Sequence, residues 1–390
     1  MLKFADNGSV ATFLRDSWQK KPRFLPQALT ELPALSAEEI AWLATQPDVE
    51  SRLVFTNGED GGLSYRVEHG PFADEYLAGL PSANWTLLVQ DVDKHLPDLA
   101  TLFGEFPFIP AWRIDDLMVS VAAPGGSVGP HIDNYDVFLC QARGSRNWQV
   151  AAAGSALREV AHDELHLVEP FADFEEYTAV PGDVLYLPPG RGHWGVATDL
   201  CITYSVGMRA PTAGQLAGEF ARAASESPGL DMFYQDDDLQ AAESRGGEIS
   251  AAALDRARQL LQAMQAIDDV SFARLFGTMV TDPKAWLAPP ILDDQEVMQC
   301  MESVAEGTAL HLHGMTRLAW STVDGALLVF ANGFSFRCDR DWREALLALS
   351  QTRRLEPSVF PALQTQPGGR ALLSWLLEKG VFDGDHDKDA

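Results

Sequence analysis

Up to about Pro211, no apolar stretch of the chain runs far before Gly or Pro breaks it. DLMVSVAA stops at PGGSVGP, VFLCQ at ARGS and DVLYL at PPG, with NWQVAAA in between. Short runs rich in β-branched and aromatic residues, bounded by turn formers, are the pattern of an antiparallel sandwich or barrel. Ahead of them, residues 37–44 and 83–103 place apolar side chains three and four apart, and both are expected to be helical.

The same turns deliver the residues that carry chemistry. After PGGSVGP come His131 and Asp133, two apart at the start of a strand-like run. Residues i and i+2 of a strand point to one face, so an imidazole and a carboxylate can converge on one ion. A third ligand is expected from a distant strand, and PGDVLYLPPGRGHWGV offers it. Pro181-Gly182-Asp183 turns into VLYL, Pro188-Pro189-Gly190 ends that strand, and His193 opens the next run. In a double-stranded β-helix, a strand returning across the barrel would set His193 opposite the first pair. Two His and one carboxylate on one face leave positions open for a bidentate co-substrate and dioxygen, as in non-haem iron(II) oxygenases. A zinc hydrolase would accept the same three residues, so the triad alone leaves the metal open.

An oxygenase that uses 2-oxoglutarate needs a cation for the distal carboxylate. QARGSRNWQV reads as a hairpin turn into a strand that begins at Arg146, with Trp148 on the same face. A guanidinium matches a carboxylate bidentately and stays charged when buried. Arg143 is the neighbouring alternative, nearer the turn and expected to be solvated. Ser120, on the strand DLMVSV, could add a hydroxyl contact. In such chemistry 2-oxoglutarate is oxidatively decarboxylated to succinate and carbon dioxide, while one oxygen atom enters a substrate C–H bond. The protein supplies ligands, orientation and exclusion of water.

With 390 residues, the chain has room for two or three domains at roughly 100–200 residues each. From about residue 214 to 275 the texture turns helical: LAGEFARAA and ISAAALDRARQLLQAMQAI flank an acidic joint at 236–247. Ala253, Ala257, Leu260, Leu261 and Met264 form a stripe that suits ordinary core or, between two domains, a helix-mediated homodimer. Farther on, helices are expected near 294–304, 342–350 and 369–379. Between the first two of them, VDGALLVFANGFSF carries the Asp-Gly and Asn-Gly turn signals of hairpins. Helices with a late hairpin resemble a winged helix. The tail FDGDHDKDA is expected to be a solvated end.

Charge narrows the partners. Acidic residues number 56 against 29 basic, a formal net charge of -27. Such a surface repels phosphate backbones and anionic lipid, so nucleic acid and membrane are not expected as partners. It favours a basic protein or peptide, or serves solubility alone. Cys140, Cys201, Cys300 and Cys338 form no C-x-x-C pair and read as small buried hydrophobes of a reducing compartment. The amino terminus has no uninterrupted apolar stretch, and no window approaches the ~20 apolar residues of a membrane span, so a cytoplasmic protein is expected. His162, His166, His311 and His313 are not expected to bind metal. The H-x-H at 311–313 has no acidic partner at metal spacing.

The run DDLMVSVAAPGGSVGPHIDNYDVFLCQARGSRNWQV, with PGDVLYLPPGRGHWGV downstream and YRVEHGPF upstream, resembles the bacterial Jumonji-C-type ribosomal oxygenases. The resemblance implies a mixed α+β chain in three parts. Residues 1–211 would be a double-stranded β-helix (jelly-roll, cupin-like) catalytic domain, 212–280 a helical dimerisation region and 281–390 a winged-helix-like domain. It places the family's iron(II) ligands on His131, Asp133 and His193, and its anchor for 2-oxoglutarate on Arg146. It implies hydroxylation of an arginine β-carbon in large-subunit ribosomal protein sixteen, a basic partner. Tyr135 and Asp136, beside the ligands, are candidates to hold the substrate guanidinium or are structural strand residues. Two alternatives remain open: the same chemistry on another protein or small molecule, and a non-catalytic metal-binding cupin, although such cupins usually carry H-x-H rather than H-x-D.

Overall fold

The computed structural model describes residues 2–4, 9–59, 62–226, 233–235, 249–264 and 267–383. It divides into two compact units. One comprises Met1–Ala210 with Ala285–Leu287 and His313–Met315, and the other the remainder.

The first unit is built from β1 (Arg23–Leu25), β2 (Ser51–Glu59), β3 (Gly62–His69), β4 (Trp85–Val89), β5 (Ile114–Ala122), β6 (His131–Ile132), β7 (Val137–Arg143), β8 (Arg146–Ala151), β9 (Phe174–Ala179), β10 (Val184–Leu187), β11 (Gly192–Ala197) and β12 (Cys201–Met208). They form an antiparallel eight-stranded sheet, β1-β10-β7-β12-β5-β4-β2-β3, and a four-stranded sheet, β6-β11-β8-β9. This is the double-sheet jelly roll of the sequence reading.

Period-2 alternation splits each strand of the large sheet between two environments. Phe138, Cys140, Tyr186, Tyr204 and Val206 pack on one side with Phe13 of α1 (Val10–Asp16) and with Ile40 and Leu43 of α2 (Ala37–Leu43). Val137, Leu139, Leu185 and Leu187 point the other way and meet Trp148, Val150 and Ala179 of the small sheet. α2 begins where expected because Ser36 and Glu39 form a capping box that satisfies the first free N–H groups. Two short helices, α3 (Asp74–Ala78) and α4 (Val92–His95), complete this unit's α-helices among the described residues.

The expected helix at 83–103 is not one element. Trp85–Val89 is β4, wedged between β2 and β5, while Pro97–Glu105 winds as a 3-10 helix. Trp-Thr-Leu-Leu-Val is a run of strand formers buried along nearly its whole length. Apolar residues three and four apart occur in such a run without any helical meaning.

The second unit holds α5 (Ala213–Glu226), α6 (Ala251–Met264), α7 (Asp269–Thr281), α8 (Asp294–Glu306), β13 (Leu310–His311), β14 (Leu318–Val323), β15 (Ala326–Ala331), β16 (Phe334–Cys338), α9 (Arg343–Thr352), β17 (Arg354–Leu355), α10 (Phe360–Thr365) and α11 (Gly369–Glu378). β14, β15 and β16 form a meander joined at Asp324-Gly325 and Asn332-Gly333. Both residues of each turn have positive φ, 45° and 81° in the first and 50° and 83° in the second. Aspartate, asparagine and glycine tolerate that region, and the twist of such turns matches that of the strands. Val297, Val304, Leu327, Val329, Leu346 and Leu373 share the core of this unit.

On α6, Ala253 and Ala257 are half-buried and Leu261 is exposed. The side chains of Leu260 and Met264, the acidic joint at 236–247 and the tail beyond Asp383 lie outside the described residues. Cys140, Cys201 and Cys300 are buried, Cys338 is half-buried, and all are unpaired thiols. Among the described residues no helix is long and apolar enough to cross a membrane.

Candidate active site

β6 is two residues long and lies against β11, with His131 directly opposite His193. The two histidines are therefore neighbours on adjacent strands, rather than facing across the barrel as the sequence reading had it. Their ring centroids are 4.1 Å apart. Asp133 follows β6, and its Oδ2 lies 3.6 Å from Nε2 of His193. One ligand-type atom from each of the three residues falls within 4.8 Å of the others.

The orientation of both rings is settled by backbone. His131 Nδ1 lies 2.9 Å from the Gly129 carbonyl, and His193 Nδ1 lies 3.0 Å from that of Arg191. A carbonyl can only accept, so each Nδ1 carries the proton and each Nε2 keeps its lone pair for a ligand. Burial, reinforced by the neighbouring His131, pulls the pKa of His193 down to about 4. The ring is therefore neutral at physiological pH, the state a metal requires. Two imidazoles that each present Nε2, with a carboxylate beside them, suit ferrous iron.

Arg146 opens β8, with Trp148 and Val150 at alternate positions. The β8–β11 register sets Val150 opposite His193, Trp148 opposite Gly195 and Arg146 opposite Ala197, so all six lie on one face. Arg146 is only 6% exposed, and its Nε and one Nη find no hydrogen-bond partner. Its guanidinium sits 5.5 Å above the Trp148 ring. A buried cation with idle donors is costly unless an anion completes it. A carboxylate matches those donors in charge and geometry. Arg143, its sequence neighbour, is exposed.

Ser120 is buried on β5, opposite Thr203 of β12, which in turn lies opposite Gln141 of β7. Its hydroxyl makes only a long contact, 3.5 Å, to the Thr203 carbonyl. With Leu117, Val119 and Val121 turned to the outer core, Met118 and Ser120 face the interior.

Tyr135 and Asp136 part company. Tyr135 is 42% exposed beside Asp133. Asp136 is fully buried, and its carboxylate accepts from Tyr186 Oη at 2.6 Å, Gln19 Nε2 at 2.9 Å and Arg113 Nη at 3.2 Å. As a substrate-binding candidate it has to be withdrawn, because both oxygens are already committed inside the fold. The residue missed in the sequence is Asp116. It shares the interior face of β5 with Met118 and Ser120, opposite Gly207 of β12. Burial, only partly offset by Lys94, pushes its pKa up to about 7. The signal was present in DDLMVSV: if Leu117, Val119 and Val121 face one way, Asp116 faces the other.

His162 is held locally. Its Nδ1 accepts from the N–H groups of Glu164 and Leu165, and its Nε2 donates to the Tyr65 carbonyl.

Residues 101–216 match the JmjC domain family, and 259–383 match the ROXA-like winged helix. The chain is 33% identical to the ribosomal protein uL16 3-hydroxylase of Escherichia coli, over 95% of this chain and 96% of that one. The chain belongs to the JmjC-domain ribosomal oxygenases. A probable ribosomal oxygenase of Haemophilus influenzae is 32% identical over 82% of this chain and 80% of its own. Among solved structures, the Escherichia coli ribosomal oxygenase YcfD in complex with cobalt and 2-oxoglutarate superposes with a TM-score of 0.78, at 30% identity, covering 97% of this chain and 98% of that one. A further YcfD structure gives 0.81, at 30% identity over 98% and 99% of the two chains. Metal-dependent, 2-oxoglutarate-dependent oxygenation, expected from the sequence, is the chemistry of this family.

Proposed function

We propose that this chain hydroxylates an arginine side chain of large-subunit ribosomal protein uL16, using iron(II), 2-oxoglutarate and dioxygen. One observation carries the reading: the His131–Asp133–His193 donor set shares an interior face with a buried arginine whose Nε and one Nη make no hydrogen bond. His131, Asp133 and His193 would hold the metal. When bound, ferrous iron supplies the redox chemistry that couples decarboxylation of 2-oxoglutarate to insertion of one oxygen atom into a C–H bond.

The other residues act on the organic partners. Arg146 binds the distal carboxylate of 2-oxoglutarate, and the Ser120 hydroxyl, poorly engaged at 3.5 Å, is free to turn toward it. Trp148 lies between anchor and histidines and keeps water from that stretch. Asp116 takes the substrate guanidinium, since its half-buried carboxyl, pushed up in pKa by desolvation, gains from a cation. Tyr135, half in solvent beside Asp133, walls the entry. The net charge of -27 speeds encounter with a basic ribosomal protein and disfavours nucleic acid. Residues 1–211 form the catalytic part, 212–280 pair two copies into a homodimer, and 281–390 help to position the protein substrate. The working compartment is the cytoplasm, where that substrate is made.

The test is incubation of iron(II)-loaded protein with 2-oxoglutarate and a uL16 peptide that contains the target arginine. The peptide should gain the mass of one oxygen, localised to the arginine β-carbon by fragmentation, with matching succinate. No mass gain and no peptide-stimulated succinate would end the proposal. Succinate release with a different substrate would keep the chemistry and discard uL16.

A further inference from the structure

A two-residue strand cannot hold a metal ligand by its own hydrogen-bond ladder, so the loop before β6 has to be fixed by other means. At one end Gly125 N–H donates to the Ala197 carbonyl at 2.8 Å, and Ala197 N–H donates to that of Gly126 at 3.0 Å. At the other end His131 lies opposite His193. Between these ends stands Ser127, only 2% exposed. Its Oγ accepts two hydrogen bonds, from Trp194 Nε1 at 3.0 Å and from Gly129 N–H at 3.0 Å. Its carbonyl accepts from Thr56 Oγ1 at 3.1 Å.

Both partners adjoin a histidine. Trp194 is the residue after His193, and the Gly129 carbonyl receives Nδ1–H of His131. Gly129 has φ +83°, and a Cβ there would lie 2.8 Å from the Tyr65 ring and from Leu167 Cδ2. Glycine is thus required at the point where the chain is most pliable, and pliability there would let the acceptor of His131 wander.

We propose that Ser127 is a positioning residue for the metal: one buried hydroxyl locks the strand of His193 to the peptide that aims His131. The proposal rests on the reading that His131, Asp133 and His193 hold the ion. Removing the hydroxyl leaves the buried Gly129 N–H and the half-buried Trp194 indole N–H without an acceptor, and relief requires the loop to move. Outer partners of metal-bound histidines, when lost, typically weaken the metal by about 10–100-fold.

The full-length metal-free chain should be titrated with cobalt(II) by calorimetry, alongside its thermal midpoint without metal. Ser127→Ala should raise the cobalt dissociation constant by about 10–100-fold. Ser127→Thr, which keeps the oxygen, should restore it, and Trp194→Phe, which removes one of two donors, should fall between. A purely structural serine would lower the metal-free midpoint and leave the dissociation constant at the wild-type value, and that result would overturn the proposal. If Ser127→Ala does not fold, Trp194→Phe decides on the same criterion. His131→Ala serves as control: wild-type cobalt binding there would refute the ligand assignment itself, a failure distinct from that of Ser127.

Discussion

At the histidine end of the interior face, each Nδ1 meets a backbone carbonyl, whereas at the arginine end two guanidinium nitrogens meet nothing. The two ends lie on the same strand pair, separated by the breadth of Trp148. One is preorganised before its ligand arrives, so little ordering is required when an ion binds. The other stores an unfavourable burial that only an anion relieves. The metal is thus met by geometry and the keto diacid by charge.

The strongest way to break this contrast is at the histidines. His193→Ala or His131→Ala should abolish turnover, and uncoupled succinate formation with it. Retained succinate release would mean that the ion sits elsewhere.

The next test acts on the other end alone. Arg146→Ala should raise KM for 2-oxoglutarate by about 10–150-fold, the equivalent of ~1.5–3 kcal/mol for a hydrogen bond to a charged group, while cobalt affinity stays unchanged. In the metal-free, co-substrate-free protein, Arg146→Met should hold or raise the thermal midpoint, because it removes a buried unpaired cation. A lowered midpoint would show that the guanidinium is already satisfied.

A smaller effect sharpens the assignment of Asp116. Below pH about 7 this carboxyl is largely protonated and offers a guanidinium no charge. KM for the arginine peptide should therefore fall as pH rises through about 7, by roughly fivefold for an ion pair worth ~1 kcal/mol. Asp116→Asn should flatten that profile. An unchanged profile in the variant would assign the titration to another group.

How much of this was legible in the sequence depended on the range of the contacts involved. His131, Asp133 and His193 stood out because Gly-Pro turns bracket them and strand spacing is local. The tight turns at Asp324-Gly325 and Asn332-Gly333 were equally local. Asp136 misled because its saturation comes from Gln19, Arg113 and Tyr186, brought in from distant segments by the folded sheet. β4 was misread because apolar residues three and four apart inside an all-buried strand imitate a helix stripe. The adjacency of the two histidines could not be read at all, since it depends on which strand pairs with β6.

Gly195 sits where a side chain would drive into the indole of Trp148: a Cβ there would fall 2.5–2.8 Å from three of its ring carbons. The glycine lets the ring lie flat against the strand as a spacer of fixed width, 6.0 Å from the His193 ring on one side and 5.5 Å from the Arg146 guanidinium on the other. If Arg146 and the histidines grip the two ends of the co-substrate, this spacing should select diacids by carbon-chain length. A keto diacid one methylene shorter than 2-oxoglutarate should not reach both the metal and the Arg146 cation at once, so oxaloacetate should compete poorly with 2-oxoglutarate for the metal-loaded protein. In Gly195→Ala, displacement of the ring should blur that selection, and an unchanged preference between the two diacids would show that the selection is set elsewhere.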